Sequence, residues 1–339
     1  MNQQQNGGIL TVNQKTLSTT DTGYVVGVDI GGTNLRLALA DLNGMIVAKQ
    51  SSSVAGFNSL DAVMRLVCDG VEQLLQEVSA PRHALKSIAA GAPGITDVSE
   101  GIVIATSYLL GWRDVPLRAL LEDALNVPSA VDNDVNLAAI GENWAGAARD
   151  VQDFVFLAIG TGLGSGIVLN GRPFRGNNWA AGEIGYMRVP GTPDTPREPG
   201  KPGSLESMIG GNGIKVQWQN LWSAQNTPLA RDLNATQIFD HALEGDPLAK
   251  ALLQQSAHML SLVIHNMFLV LNCPLFVLGG GVGSHPALCH ATRIMLEQLN
   301  MRRPPQVVLS MLGPDAQLIG AVRFALDIAE SLRIKVEAT

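Results

Sequence analysis

Cysteine is scarce in this chain: Cys68, Cys273 and Cys289 are the three present in 339 residues, and none belongs to a CxxC pair. That spacing argues against a paired-cysteine motif and fits free thiols in a reducing cytoplasm, where the protein is expected to reside. Basic clusters are missing too. With a net charge of −7 and no Lys/Arg run, neither nucleic acid nor an anionic membrane is an expected partner. Unbroken apolar runs are lacking: the best candidate span, residues 259–282, is interrupted by His265, Asn266, Asn272 and Pro274. A buried helix followed by a buried strand is expected there, and no membrane span. The polar opening, residues 1–22, has neither the cationic start nor the apolar centre of a signal peptide and reads as a flexible tail. No GxxxxGK[ST] occurs, which excludes a P-loop enzyme.

Hydrophobic residues make up 46% of the chain and charged residues 16%. That balance belongs to a well-buried globular protein, and the length suits two lobes of ordinary size. Residues 24–49 (YVVGVDIGGTNLRLALADLNGMIVAK) read as strand, glycine turn, strand, Asn43-Gly44 turn and strand. Leu35, Leu37 and Leu39 alternate along the middle strand, and apolar residues from Leu60 to Val78 keep helical spacing, predicting a helix over 58–79. The run SIAAGAPG then reads as a buried strand ending in a tight turn. The pattern restarts at residues 153–174 (DFVFLAIGTGLGSGIVLNGRPF): apolar strand, glycine turn, apolar strand and an Asn170-Gly171 turn. One unit used twice is the simplest account. Helices dominate from Ser207 onward, interrupted by strands in PLFVLGGGVG and QVVLSML, and a last helix is expected over 316–333. The fold class is therefore α/β, with two similar lobes and a cleft between them.

Three glycine clusters follow apolar strands: DIGGT (29–33), GTGLGSG (160–166) and GGGVG (279–283). Any one of them could be an ordinary tight turn. Glycines also let a backbone approach a phosphate closely, and successive N–H groups there form an anion-binding concavity. Three clusters at strand ends, two of them duplicated, favour a nucleotide. GTGLGSG lacks GxGxxG spacing and opens a hairpin, which argues against a dinucleotide fold. Asp29 either caps its turn or holds Mg²⁺, directly or through water, beside terminal phosphates. Thr33 and Thr161 can each donate a hydroxyl to phosphate oxygens. In AVDNDVNLAAIGE, Asp132 and Asp134 would share a face on a strand and diverge on a helix. Asp134 is either a carboxylate that accepts a proton from a sugar hydroxyl or the N-cap of the helix that follows, and both roles can coexist. Asn133 offers a donor and an acceptor suited to a polyhydroxyl ligand.

In this order, DIGGTNLR, GAPGITD, GWRDVPL, DNDVNLAAIGE, GTGLGSGIVLNG, AAGEIGY, LESMIGG, LGGGVG and GPDAQLIGA resemble the motifs of the ROK family, the repressors, open reading frames and sugar kinases of the actin-like ATPase superfamily. The resemblance runs from Tyr24 to about Leu332. It implies an actin-like (ribonuclease H-like) fold whose lobes close over ATP and a hexose. The expected division is an N-terminal lobe over 23–131, joined by the C-terminal helix within 315–339, and a C-terminal lobe over 132–314. By the same resemblance Asp134 is the general base and Asn133, Glu183 and Glu206 are sugar contacts, with Gly94 bordering the sugar. Asp29, Gly31, Gly32, Thr33, Thr161 and Gly162 would form the phosphate and Mg²⁺ site, and Gly280 and Gly281 would lie under the adenosine. A homodimer is favoured.

The family usually carries a histidine and three cysteines between its two sugar-binding glutamates, where they bind structural zinc. Here Tyr186 falls at the histidine, which in the family also touches the sugar, so Tyr186 is an expected sugar contact. Arg197, Pro199 and Ser204 fall at the cysteines, so no zinc is expected, and Pro193 to Pro202 would stiffen the loop instead. Tyr108 stands where many members have an asparagine near the sugar. A winged-helix module does not fit in the 23 residues ahead of the first strand, which weakens a repressor function. The expectation is an ATP- and Mg²⁺-dependent kinase acting on the primary hydroxyl of glucose or a close relative. The alternative is a non-catalytic sugar-binding or regulatory protein of the same family.

Overall fold

A computed structural model describes residues 23–54, 59–106, 109, 111–194 and 201–337. The tail expected at residues 1–22, Tyr108, Arg197, Pro199 and the centre of the proline-rich loop lie outside the described residues. The chain opens with strands β1 (Tyr24–Ile30), β2 (Asn34–Asp41) and β3 (Ile46–Ser53), helix α1 (Leu60–Glu77) and strand β4 (Leu85–Ala92). Three short strands follow, β5 (Ile95–Asp97), β6 (Ile102–Ala105) and β7 (Arg113–Val115), then α2 (Leu117–Leu125), β8 (Ser129–Asn133) and α3 (Asp134–Ala145). The second half begins with β9 (Phe154–Ile159), β10 (Leu163–Leu169) and β11 (Arg172–Pro173). Helices α4 (Glu206–Ile209), α5 (Gly211–Leu221), α6 (Ala235–Glu244) and α7 (Pro247–Leu271) come next. The chain closes with β12 (Leu275–Gly279), α8 (Gly280–Gly283), α9 (Pro286–Gln298), β13 (Gln306–Leu309) and α10 (Ala316–Glu337).

The duplication is visible in the sheets. The first has the order β3-β2-β1-β4-β8 and the second β11-β10-β9-β12-β13. In both, the glycine-turn hairpin is antiparallel, and its first strand runs parallel to the next strand inward. The outer hairpin turns reach this shape differently. Asn170 and Gly171 both take positive φ, 53° and 70°, the pair of conformations that matches strand twist in a two-residue turn. At Asn43-Gly44 only Gly44 is positive, and Asp41 stabilises the turn by accepting from the N–H groups of Asn43 and Met45 at 3.0 and 2.8 Å. Helix α1 starts at Leu60 because Ser59 caps it, its hydroxyl accepting the Ala62 N–H at 3.3 Å.

Each sheet has its own apolar core. Ile30, Leu35, Leu37, Val67, Leu74 and Ile88 fill the first, and Leu157, Ile209, Trp218, Phe239, Leu260 and Phe276 the second. Burying a side chain of this size is worth about 1.5–3 kcal/mol. Helix α10 lies on the first sheet, with Leu318, Val322 and Ala325 against Val25, Ala38 and Ala89. It also crosses α3 at minimal separation: a Cβ on Gly320 would stand 1.7 Å from the Leu137 carbonyl oxygen, and one on Gly141 2.4 Å from that of Ala316. Among the described residues no helix is long and apolar enough to cross a membrane, and residues 259–282 form the end of α7, the buried strand β12 and the start of α8.

Candidate active site

The turn from β8 into α3 shows how the chain assigns its polar groups. Strand pairing stops at Asn133, which sits at φ −63° and ψ 140° as the helix N-cap. Its Oδ1 accepts from the N–H groups of Val135 and Asn136 at 2.8 and 3.1 Å. Capping therefore falls to Asn133, and Asp134 becomes the first helical residue, its carboxylate available for other work. Because the strand ends there, Asp132 and Asp134 do not share a face. Asp132 is wholly buried, with both Nε and Nη2 of Arg175 on its Oδ2 at 2.9 and 2.5 Å. Asn133 also spends its amide: Nδ2 donates to the Gly94 carbonyl at 2.8 Å. That contact brings the Gly94 turn against the start of α3. Gly94 holds φ at +100°, and a Cβ there would stand 2.2 Å from the Ala105 oxygen, so only glycine fits.

Asp134 is the most perturbed carboxyl of the site. Its pKa is pushed up to about 7, first by desolvation, then by the negative charges of Asp29 and Glu183, against a hydrogen bond from the Val135 N–H. The structure thus places three carboxylates from distant parts of the chain within electrostatic reach of one another. Asp29 is the penultimate residue of β1 at 7% exposure, and burial raises its pKa while Arg36 opposes the rise. Nε and Nη2 of Arg36 both bond Asp29 Oδ2, at 2.9 and 2.6 Å, which leaves Oδ1 outside that fork. Arg36 also reaches the Pro314 carbonyl just ahead of α10. Glu183 follows Gly182, whose φ is +94° and whose carbonyl accepts from the Ser165 N–H at 2.9 Å and the Ser165 hydroxyl at 3.1 Å.

The remaining predicted residues fall into two groups. Gly31, Gly32 and Thr33 form the β1–β2 hairpin tip, pinned by Gly31 N–H to the Asn34 carbonyl at 2.9 Å and Val54 N–H to the Thr33 carbonyl at 2.8 Å. Gly32 and Thr33 are exposed. Thr161 and Gly162 form the matching β9–β10 tip, which docks on the start of α5 through Gly211 N–H to Gly160 O at 2.8 Å and Asn212 N–H to Thr161 O at 3.2 Å. Glu206 joins this second group, its Oε2 accepting the Leu163 N–H at 2.9 Å. Gly280, at φ +80°, packs so closely on the Ile159 carbonyl that a Cβ would come within 2.5 Å, while a Cβ on Gly281 would meet nothing within 4 Å. The third glycine cluster thus opens as the short helix α8 beside the second tip. Tyr186 ends a helical turn over Ile184–Tyr186 and is half-buried. Its neighbour Gly185 accepts the Leu205 N–H at 3.1 Å, closing the base of the proline-rich loop next to Glu206.

Some residues that organise the site have no role assigned by the sequence patterns, although Arg36 closes DIGGTNLR and Glu142 closes DNDVNLAAIGE; Arg175 lies outside every motif. Arg36 and Arg175 each pair with an aspartate that the sequence marks, but from 7 and 43 residues away. Glu142 is fully buried on α3 and binds the Ser310 hydroxyl, the Leu312 N–H at 3.1 Å and the Ala147 N–H at 2.7 Å. A glutamate inside the apolar helix pattern of LAAIGENWA is the one local hint of that role.

Among the described residues no cluster of three or more His, Cys, Asp or Glu is arranged to hold a metal ion. The donor set at Asp29 nevertheless fits Mg²⁺, which binds through one or two carboxylates together with phosphate and water oxygens. Asp29 Oδ1 is the oxygen positioned outside the arginine fork.

Duplicated five-stranded sheets, glycine hairpins at corresponding strand ends and convergent carboxylates define an actin-like ATPase fold. The profile of the ROK family matches residues 25–328, and the chain belongs to that family. It is 33% identical over 266 residues to a glucokinase of Halalkalibacterium halodurans, covering 76% of this chain and 80% of that one. A xylose repressor of Caldicellulosiruptor bescii is 24% identical over 273 residues, covering 76% of this chain and 66% of the repressor. The crystal structure of a ROK family glucokinase from Streptomyces griseus, in complex with glucose and AMPPNP, aligns with a TM-score of 0.76 at 24% identity, over 90% of this chain and all of that one.

Proposed function

We propose that the protein is an ATP-dependent sugar kinase that transfers the γ-phosphoryl group to the primary hydroxyl of glucose or a close relative. The observation that carries this is Asp134: relieved of capping by Asn133, it meets Asp29 and Glu183 with its pKa raised to about 7. A carboxylate of that pKa is matched to accepting a hydroxyl proton near neutral pH. The glucokinase relative and the fold shared with a glucokinase that holds glucose and an ATP analogue support the same assignment.

In this mechanism Asp134 accepts the proton of the sugar hydroxyl as its oxygen attacks the γ-phosphorus in line, with ADP leaving. Asn133, Glu183 and Glu206 orient the sugar, with the Gly94 turn at its edge and Tyr186 beside Glu206. The amides and hydroxyls of Gly31, Gly32, Thr33, Thr161 and Gly162 bind phosphate oxygens, and Gly280 and Gly281 lie flat under the adenosine. Asp29 would hold Mg²⁺, which supplies charge neutralisation of the phosphates. Closure of the lobes excludes water that would otherwise take the phosphoryl group.

An ADP-release assay across glucose, mannose, fructose, allose and the N-acetylhexosamines tests the assignment. Activity with at least one hexose is expected. The Asp134→Asn variant should lose transfer by about 10²–10⁴-fold while its sugar Kd stays within a few-fold. Similarity to a xylose repressor favours a second function, sugar sensing without transfer. Sugar binding by calorimetry with no ADP release from any member of the panel would select it.

A further inference from the structure

Arg175 leaves the second sheet two residues after β11 and reaches into the first. Its target, Asp132, is 0% exposed, and all four of its recorded hydrogen bonds are made inside the protein. Arg175 Nε and Nη2 take Oδ2, while the Asn133 backbone N–H at 2.7 Å and Asn136 Nδ2 at 3.0 Å take Oδ1. One of those donors is the main chain of the turn that carries Asn133 and Asp134. The arginine therefore holds that turn through a single buried carboxylate.

The main chain of the same residue holds the opposite wall. The Arg175 carbonyl accepts the Ala181 N–H at 3.1 Å and closes the loop that runs into Gly182 and Glu183. Ser165 then fixes the Gly182 carbonyl from β10. Side chain and backbone of one residue thus tie together the segments bearing Asp134 and Glu183, two carboxylates close enough for Glu183 to disfavour ionisation of Asp134. A guanidinium suits this task because its planar fork fixes angle as well as distance, which a lysine ammonium does not.

We propose that Arg175 is a positioning residue for phosphoryl transfer: it sets the spacing between the Asp134 turn and the Glu183 loop, and hence the seat of the reacting sugar hydroxyl. It touches no substrate and acts through Asp132 and Ala181. The proposal rests on the kinase function stated above.

Arg175→Met alone strands a buried carboxylate and endangers the fold. The decisive protein is therefore the double variant Asp132→Asn/Arg175→Met, which removes both charges and keeps the volume. Steady-state kinetics should show kcat lower by about tenfold to a hundredfold and the sugar KM raised several-fold, with the ATP KM within about twofold. Arg175→Lys, which keeps the charge without the fork, should fall between the double variant and wild type. A folded double variant with wild-type kcat and sugar KM, or one whose sugar and ATP KM rise together, overturns the proposal. Wild-type turnover on the sugar panel is measured first, so that loss of the kinase function is recognised separately. In that event hydrogen exchange decides: amides of 133–136 and 181–184 should lose protection together in the double variant, and unchanged protection in either segment refutes the coupling.

Discussion

Asp134 illustrates how little a residue type says without its surroundings. An aspartate at the first turn of a helix is ordinarily held ionised by the helix N-terminus. Here desolvation and the charges of Asp29 and Glu183 outweigh that effect and bring the pKa to about 7. Acting as a base, the group works when deprotonated, so kcat/KM should rise with pH and level off above about 7; a profile flat from pH 5.5 to 8.5 would count against Asp134 as the base. The same shift has a consequence for stability. The folded state retains a proton that the unfolded state, titrating near 3.8, has already lost, so raising the pH from 4 to 7 costs the wild type stability. Asp134→Asn lacks this penalty. Its melting temperature should exceed that of the wild type at pH 8, with the gap shrinking steadily toward pH 4.

At the scale of elements, the β8–α3 junction depends on Asn133, which caps the helix with its oxygen and tethers Gly94 with its nitrogen. Asn133→Ala should lose about 1 kcal/mol of stability from the cap alone. Asn133→Asp keeps the acceptor and should recover most of that loss in thermal melts, but it cannot donate to Gly94. Its kcat/KM for sugar should therefore remain well below wild type, and full recovery of both would show that the tether is idle. Much of this junction was legible in the sequence: DNDVNLAAIGE marks a strand-to-helix turn rich in polar side chains. What could not be read was the division of labour among its three polar residues. Spacing puts Asp132 and Asp134 on one face only if the strand continues, and it stops at Asn133 because that residue turns out of the ladder to cap α3.

For the molecule as a whole, the crossing of α3 and α10 connects the two sheets, because α3 follows the last strand of the first and α10 follows the last strand of the second. The helices meet at Gly141 and Gly320 with no room for a methyl group, and buried Glu142 binds the chain leading into α10 at Ser310 and Leu312. Gly320→Ala should force the helices apart and cost on the order of 1–3 kcal/mol, seen as a lower urea midpoint. A midpoint unchanged within error would mean that the crossing relaxes freely.

The sequence alone determined the repeating strand, glycine-turn and strand units, the helix expected over 58–79 and found over 60–77, and the polar turns, because these follow from hydrophobic period and from the turn preferences of neighbouring residues; the Ser59 cap that sets the helix start came only with the structure. The duplicated sheet order was foreshadowed by that repetition, since like patterns pair alike. Only the tertiary structure decided which carboxylate is neutralised and which is left poised. Arg36 meets Asp29, Arg175 meets Asp132, and Asp134 faces Asp29 and Glu183 from more than a hundred and nearly fifty residues away. Desolvation and Coulomb forces act through space, so the chemistry of an aspartate is set by the neighbours that folding brings to it.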